Sequence, residues 1–375
     1  MRSQIVQCPL LVALAIPLSV GCSNDGGAAE PSGSTATGGD SGDVPLEGDS
    51  TTGQSPPPGD SSTTADASTE TPTTGDEGGT TLEPGSSDGD ESSSGKAMPS
   101  VDCDMVPALP ATDMVVLNNI PTSEDFTFDA EGNILGVSID TQGLHRTTYN
   151  GETTMIVPNV SSFGRGIRVL DNGDYLVIAP GNGLRRITPE GSNTLVLSLP
   201  DEANGLAIHP NGIAYFTSGN GQLRSFDLDT GDVAVLDEFG SLDGIVFNLD
   251  YSKLYYNNEF GTIKQLAFDD EGQPTGTPSN FVTIAVEDIL DGMAVDECDN
   301  LYVIEMSGTV WRVSPDGMIE TAASLPADIL SLYSALNFGS GVGGWEADHL
   351  YIMSLFGGMV EVDMGVQGKP LPHLP

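Results

Sequence analysis

Five residues with charged or amide side chains stand at the same place in a repeated unit: Glu124, Arg165, Asn204, Asp243 and Asp291. Each opens a short stretch of alternating apolar positions, then a polar turn, then a second apolar run rich in Tyr. Examples are EDFTFDAEGNILGVS from Glu124, NGLAIHPNGIAYFTS from Asn204 and DGMAVDECDNLYVIE from Asp291. If the fold brings these positions to one point, three carboxylates and an amide oxygen make a hard, all-oxygen site. That donor set suits Ca²⁺ or another hard divalent cation, whereas zinc or copper would want His or Cys. Without a cation the same arrangement repels itself. A plainer reading stands beside this one, because Asn-Gly and Asp-Gly are ordinary turn dipeptides and Asn204, Asp243 and Asp291 are each followed by Gly. Glu124 escapes it, since it sits in Glu-Asp-Phe without a Gly.

The spacing says which elements must position these residues. Successive units start 41, 39, 39 and 48 residues apart, the period of a repeated four-stranded blade and not of a helical repeat. Each unit has a second half, such as GLRRITPEG from Gly183, GQLRSFDLDTG from Gly221 and GTVWRVSPDG from Gly308, closed by an Asp-Gly, Glu-Gly or Thr-Gly pair suited to a hairpin turn. A looser sixth copy runs from Ser334 to Gly365, and Met114 to Leu117 supply a strand to the last blade that closes the ring. The expectation is an all-β chain forming a six-bladed β-propeller over residues 101–375. In such a ring the innermost strands line a central channel, so their first residues converge although they are far apart in sequence. The sixth blade would contribute something near Asn337. The four histidines, His145, His209, His349 and His373, share no pattern, and the turn or strand-start placement of His209 and His349 predicts a surface position.

Upstream the chain changes character. Residues 1–21 carry Arg2, the apolar stretch LLVALAIPLSV and a small residue before Cys22, which reads as a signal peptide with a lipoprotein-type cleavage site and lipidation at Cys22. The apolar run is too short to span a bilayer permanently. Residues 22–100 are mostly Gly, Ser, Thr, Pro, Asp and Glu, with few aliphatic residues and no aromatic one, a composition that cannot bury enough apolar surface to order itself, so a disordered linker is expected. These features predict a monomeric lipoprotein at the cell envelope, on the outer membrane or cell surface, held to the membrane through Cys22. The chain has 54 acidic against 12 basic side chains, a net charge of −42, which excludes nucleic acid as a natural partner. Cys103 and Cys298 remain for a disulfide that staples the N-terminal segment to the ring.

The repeat residues resemble the regucalcin (SMP-30), gluconolactonase and luciferin-regenerating-enzyme group of six-bladed propellers. DGMAVDECDNLYV from Asp291 with GTVWRVSPDG is similar to that family's fifth-blade signature, DGIVFNLDYSKLYY from Asp243 to its fourth-blade segment and NGLAIHPNG from Asn204 to its third. The resemblance implies that Glu124, Asp243 and Asp291 bind one divalent cation, that Asp291 also acts as a base, and that Asn204 contacts a small-molecule substrate or a metal-bound water. It further implies hydrolysis of a lactone or ester. Two positions depart from the pattern: Asp243 replaces the usual Asn, and Glu202 stands where sugar-lactone members carry an Arg. Arg165 either offers its charge to a substrate carbonyl or carboxylate, or pairs with a ring carboxylate. A non-catalytic binding propeller of the NHL type and a strictosidine-synthase-like propeller are the competing expectations.

Overall fold

Alternation along the strands decides how the blades meet. In the strand Tyr175–Ala179, Tyr175, Val177 and Ala179 pack toward the preceding blade while Leu176 and Ile178 pack toward the following one, so the whole run is buried. Tyr255 and Tyr256 divide in the same way between the two seams of their blade. A strand with a two-residue side-chain period that is covered on both faces must be apolar throughout, which is why the second run of each unit does not alternate.

The computed structural model describes residues 101–103, 106, 109–199, 202–326, 332–356 and 358–374; the signal segment 1–21, Cys22 and the linker 22–100 lie outside the described residues. It contains six four-stranded antiparallel sheets. In five of them the strands follow chain order from the channel outward; the sixth takes Met114–Leu117 as its outer strand, paired with Gly358–Asp363, and so closes the ring as the sequence predicts. The innermost strands are Phe126–Phe128, Ile167–Val169, Ala203–Ile208, Leu242–Phe247, Leu290–Val295 and Tyr333–Phe338. The hydrophobic core is correspondingly divided, one cluster filling each seam between neighbouring blades. Each fully buried Leu, Ile or Phe in those seams contributes on the order of 2 kcal/mol. The closing glycines Gly191, Gly231 and Gly317 have the positive φ that their hairpin turns require.

Two ties close the structure beyond the blades. Cys103 and Cys298 form the expected disulfide. The C-terminal residues then cross the channel mouth below the inner strands: the Lys369 ammonium donates to the carbonyls of Phe247 and Asn248 and lies 3.4 Å from the centre of the Tyr251 ring. Further on, the His373 ring meets the carbonyl of Phe128 in the first blade. His209 does not sit on the surface as its turn position suggested: it is buried against Phe247, Tyr251 and Phe268, because the turn folds back under the neighbouring blade.

Candidate metal centre

Ring residues reach the channel through a local irregularity repeated in successive blades. In the third, fourth and fifth blades the register of the inner strand slips between Ala203 and Leu206, Leu242 and Ile245, and Leu290 and Met293. Asn204-Gly205, Asp243-Gly244 and Asp291-Gly292 are therefore β-bulges within strands, not turn dipeptides. Their glycines are needed for close approach and not for positive φ. A Cβ on Gly205 would lie 2.5 Å from the Asp243 carbonyl oxygen, one on Gly244 2.3 Å from that of Asp291, and one on Gly292 2.8 Å from Ala335 Cα. The bulge aims the polar residue at the axis, and the bare Gly lets the next inner strand pack against it.

Glu124 and Arg165 arrive differently, each two residues ahead of its inner strand. The residue between Glu124 and Phe126, Asp125, accepts from the Ile167 N–H and from Arg168 at 2.8 Å, which fixes the first blade's entry against the second. Together these elements gather Glu124, Asp243 and Asp291 so that one carboxylate oxygen of each lies within 4.8 Å of the others. All three are buried, at 7, 7 and 8% exposure. Asn204 Nδ2 donates to Asp243 Oδ1. Two further side chains hold the main chain of the cluster: Thr217 Oγ1 donates to the Asp243 carbonyl, and Asn257 Nδ2 donates to the Asp291 carbonyl at 2.8 Å. Neither was visible as a site residue in the sequence, because each acts on the neighbouring blade.

The electrostatics are those of a site short of positive charge. Burial, opposed by Arg165 and reinforced by Asp243 and Asp125, pushes the Glu124 carboxyl up to about 8. Burial and the nearby Glu259 push Asp243 up to about 7, and burial with Asp243 and Glu124 raises Asp291. Three desolvated carboxylates at this separation cannot all ionise unless a cation joins them. Arg165 is the cation that opposes the upward shift of both Glu124 and Asp243; it donates to the Ala203 carbonyl at 3.2 Å, and its Nε is buried with no hydrogen-bond partner among the described residues. The donor set fits a hard divalent cation: oxygens alone, preorganised, with surplus negative charge.

Asn337, the residue the sequence suggested for the sixth blade, does not reach the ring. It lies further along its strand and donates to the Phe126 carbonyl, while Ser334 takes the ring position, inserted where the register slips between Tyr333 and Ala335. The sixth unit begins without an Asn-Gly or Asp-Gly pair, so its register could not be fixed from the repeat. The cavity beside the ring is about 30 Å³, room for an ion or a water, and is bounded by Glu124, Asn204, Asp243, Asp291 and Ser334. A cavity of about 340 Å³ lies at the other end of the channel under the C-terminal crossing, lined by His209, Phe247 and Lys369, and does not contain the carboxylate cluster.

Residues 123–356 match the model of the SMP-30/Gluconolactonase/LRE-like region. A gluconolactonase from Xanthomonas campestris is 15% identical and superposes with a TM-score of 0.56, covering 67% of this chain and 89% of its own. A luciferin-regenerating enzyme is 16% identical with a TM-score of 0.57, over 70% of this chain and 99% of its own. An auxiliary nutrient binding protein from Bacteroides ovatus is 16% identical with a TM-score of 0.52, over 66% and 69%. At these identities the likeness to solved structures is one of fold. No curated protein matches the chain.

Proposed function

The chain belongs to the SMP-30/gluconolactonase/LRE-like family, and on that footing we propose that it is a Ca²⁺-dependent hydrolase of a lactone or ester. The observation that carries this is the buried cluster of Glu124, Asp243 and Asp291 at the end of the channel. These three residues would hold the cation. When bound, it supplies Lewis acidity toward a carbonyl oxygen and neutralises the cluster. Asp291 then serves as the base: as a water oxygen bonds to the acyl carbon, Asp291 takes the water's proton and returns it to the departing alkoxide when the acyl C–O bond breaks. Asn204 orients the substrate, and Arg165 sets the charge balance of the ring from the second blade.

The rim supports a narrower reading of the substrate class. Glu202, exposed beside the third ring position, gives no cation for a polyhydroxylated acid to meet. The turns at the ring end of the fourth and sixth blades instead carry Phe260 and Phe356, 71 and 45% exposed. Both turns adjoin the inner-strand starts, since Asn258 pairs with Leu242 and Ser354 with Tyr333. This favours a lactone or ester with an apolar body over a sugar lactone. The proposed setting is the cell envelope, with the propeller tethered by lipid on Cys22 through residues 22–100.

The test is turnover of a panel of aliphatic and aromatic lactones and esters by the full chain, with chelator and with Asp291→Asn. Hydrolysis that both treatments abolish supports the proposal. A chain that turns over nothing, and whose ligand binding ignores both treatments, is a binding propeller.

A further inference from the structure

Six blades deliver one residue each to the ring end of the channel, and five of those residues have an evident partner or charge role. The sixth, Ser334, does not. The residue borders the small cavity shared with Glu124, Asp243 and Asp291. The residue is 1% exposed, yet its hydroxyl has no hydrogen-bond partner among the described residues. Its ring neighbours are Asp291 in the fifth blade and Glu124 in the first, both strong acceptors, and it bonds to neither.

A buried hydroxyl left unpaired lowers stability, and native interiors avoid the situation. Nothing about the fold requires a hydroxyl at this position. The inner strands contribute small or apolar residues on either side, Tyr333 and Ala335, and an Ala would fill the same space. The main chain here is closely packed, since a Cβ on Gly292 would meet the Ser334 carbonyl oxygen at 2.9 Å. An unpaired, buried donor on a residue that borders a carboxylate-lined cavity is a group held ready for a ligand oxygen.

We infer that Ser334 is a substrate-contacting residue, whose hydroxyl donates a hydrogen bond to an acyl oxygen of the lactone or ester seated at the ring. In a six-membered ring the sixth position faces the third across the axis, so Ser334 and Asn204 grip the ligand from opposite sides, with Asp243 and Asp291 on one arc between them and Glu124 and Arg165 on the other. The inference rests on the ring being the ligand-binding end of the channel, as in the function proposed above. Direct ligation of the cation is the lesser role for this residue, because a neutral hydroxyl adds little to three carboxylates in holding a hard divalent ion.

The experiment compares the full chain with Ser334→Ala in three readouts: melting temperature in chelator, calorimetric Ca²⁺ affinity, and calorimetric affinity of the Ca²⁺-loaded protein for δ-valerolactam, a lactone mimic that resists hydrolysis. The variant is expected to melt no lower than the parent, to bind Ca²⁺ equally, and to bind the lactam roughly tenfold more weakly. A lower melting temperature would show a structural hydroxyl, and a weakened Ca²⁺ affinity a cation ligand; either overturns the inference. So does equal lactam affinity in the two proteins, including binding by neither. If the parent binds the lactam through Ser334 but hydrolyses no member of the panel, the hydrolase reading fails and this one stands.

Discussion

Asn257 in the fourth blade donates its side-chain N–H to the main-chain carbonyl of Asp291 in the fifth, 2.8 Å away. Thr217 in the third blade donates its hydroxyl to the main-chain carbonyl of Asp243 in the fourth. Asp243 and Asp291 are thus each held by the second strand of the blade before, and that part of the cluster's geometry is a property of the seams.

Asn257→Leu leaves the Asp291 carbonyl buried without a donor, which costs about 1–3 kcal/mol. The variant should melt several degrees lower and bind Ca²⁺ several-fold more weakly. Thr217→Val should behave alike, and Thr217→Ser, which keeps the hydroxyl, should restore the affinity. Unchanged Ca²⁺ titrations in the first two would show that these contacts do not position the cluster.

Gly244→Ala forces a methyl group to within 2.3 Å of the Asp291 carbonyl oxygen and must push two inner strands apart. Overpacking of this kind costs about 1–3 kcal/mol, and here it also separates Asp243 from Asp291, so both melting temperature and cation affinity should fall. Gly212→Ala is the control: its φ of +86° strains any side chain, but nothing lies within 4 Å of the added carbon. It should lower stability by about 1 kcal/mol and leave the cation affinity unchanged.

The raised carboxyls fix the sign of a pH effect. Glu124 titrates near 8 in the folded chain against 4.5 ordinarily, so between those values the folded state holds a proton that the unfolded state has lost. The associated stability is complete below the ordinary carboxylate range and is lost as pH rises through the folded value, by about 1.4 kcal/mol per pH unit for each such proton. In chelator the melting temperature should therefore fall between about pH 5 and about pH 8. Ca²⁺, which favours the ionised cluster, should remove much of that fall, as should the Glu124→Gln variant. The same decline in Glu124→Gln as in the parent would place its origin elsewhere.

The disulfide joins residues 195 apart in sequence. A loop of that length limits the unfolded chain's entropy by an amount worth up to about 5 kcal/mol. Cys103→Ser with Cys298→Ser should lower the melting temperature by many degrees, while Ca²⁺ affinity measured well below that temperature is retained, since Cys298 lies past the far end of its inner strand from Asp291. Loss of the cation site in this variant would show that the staple shapes the ring.

The blades were legible because each is a local repeat: alternation, polar turn and closing Gly all fall within forty-odd residues, and every one of the six sheets was anticipated. Glu124, Asp243 and Asp291 were legible as a set for the same reason, since equal positions in a ring repeat must converge. What stayed hidden acts between units. The glycines of the Asn-Gly and Asp-Gly pairs look like turn residues until the next inner strand is seen against them. Thr217 and Asn257 look like ordinary strand residues until their partners in the following blade appear. Ser334 was hidden by a register slip of one residue, and the C-terminal crossing through Lys369 and His373 follows no repeat at all.

We propose above all that the carboxylate ring is a cation site. Calorimetric titration of the chelator-treated full chain with Ca²⁺, beside Asp291→Asn, tests it most directly. One site in the parent, lost or greatly weakened in the variant, is the predicted result. No heat of binding at millimolar Ca²⁺, or equal binding by both proteins, would contradict the account.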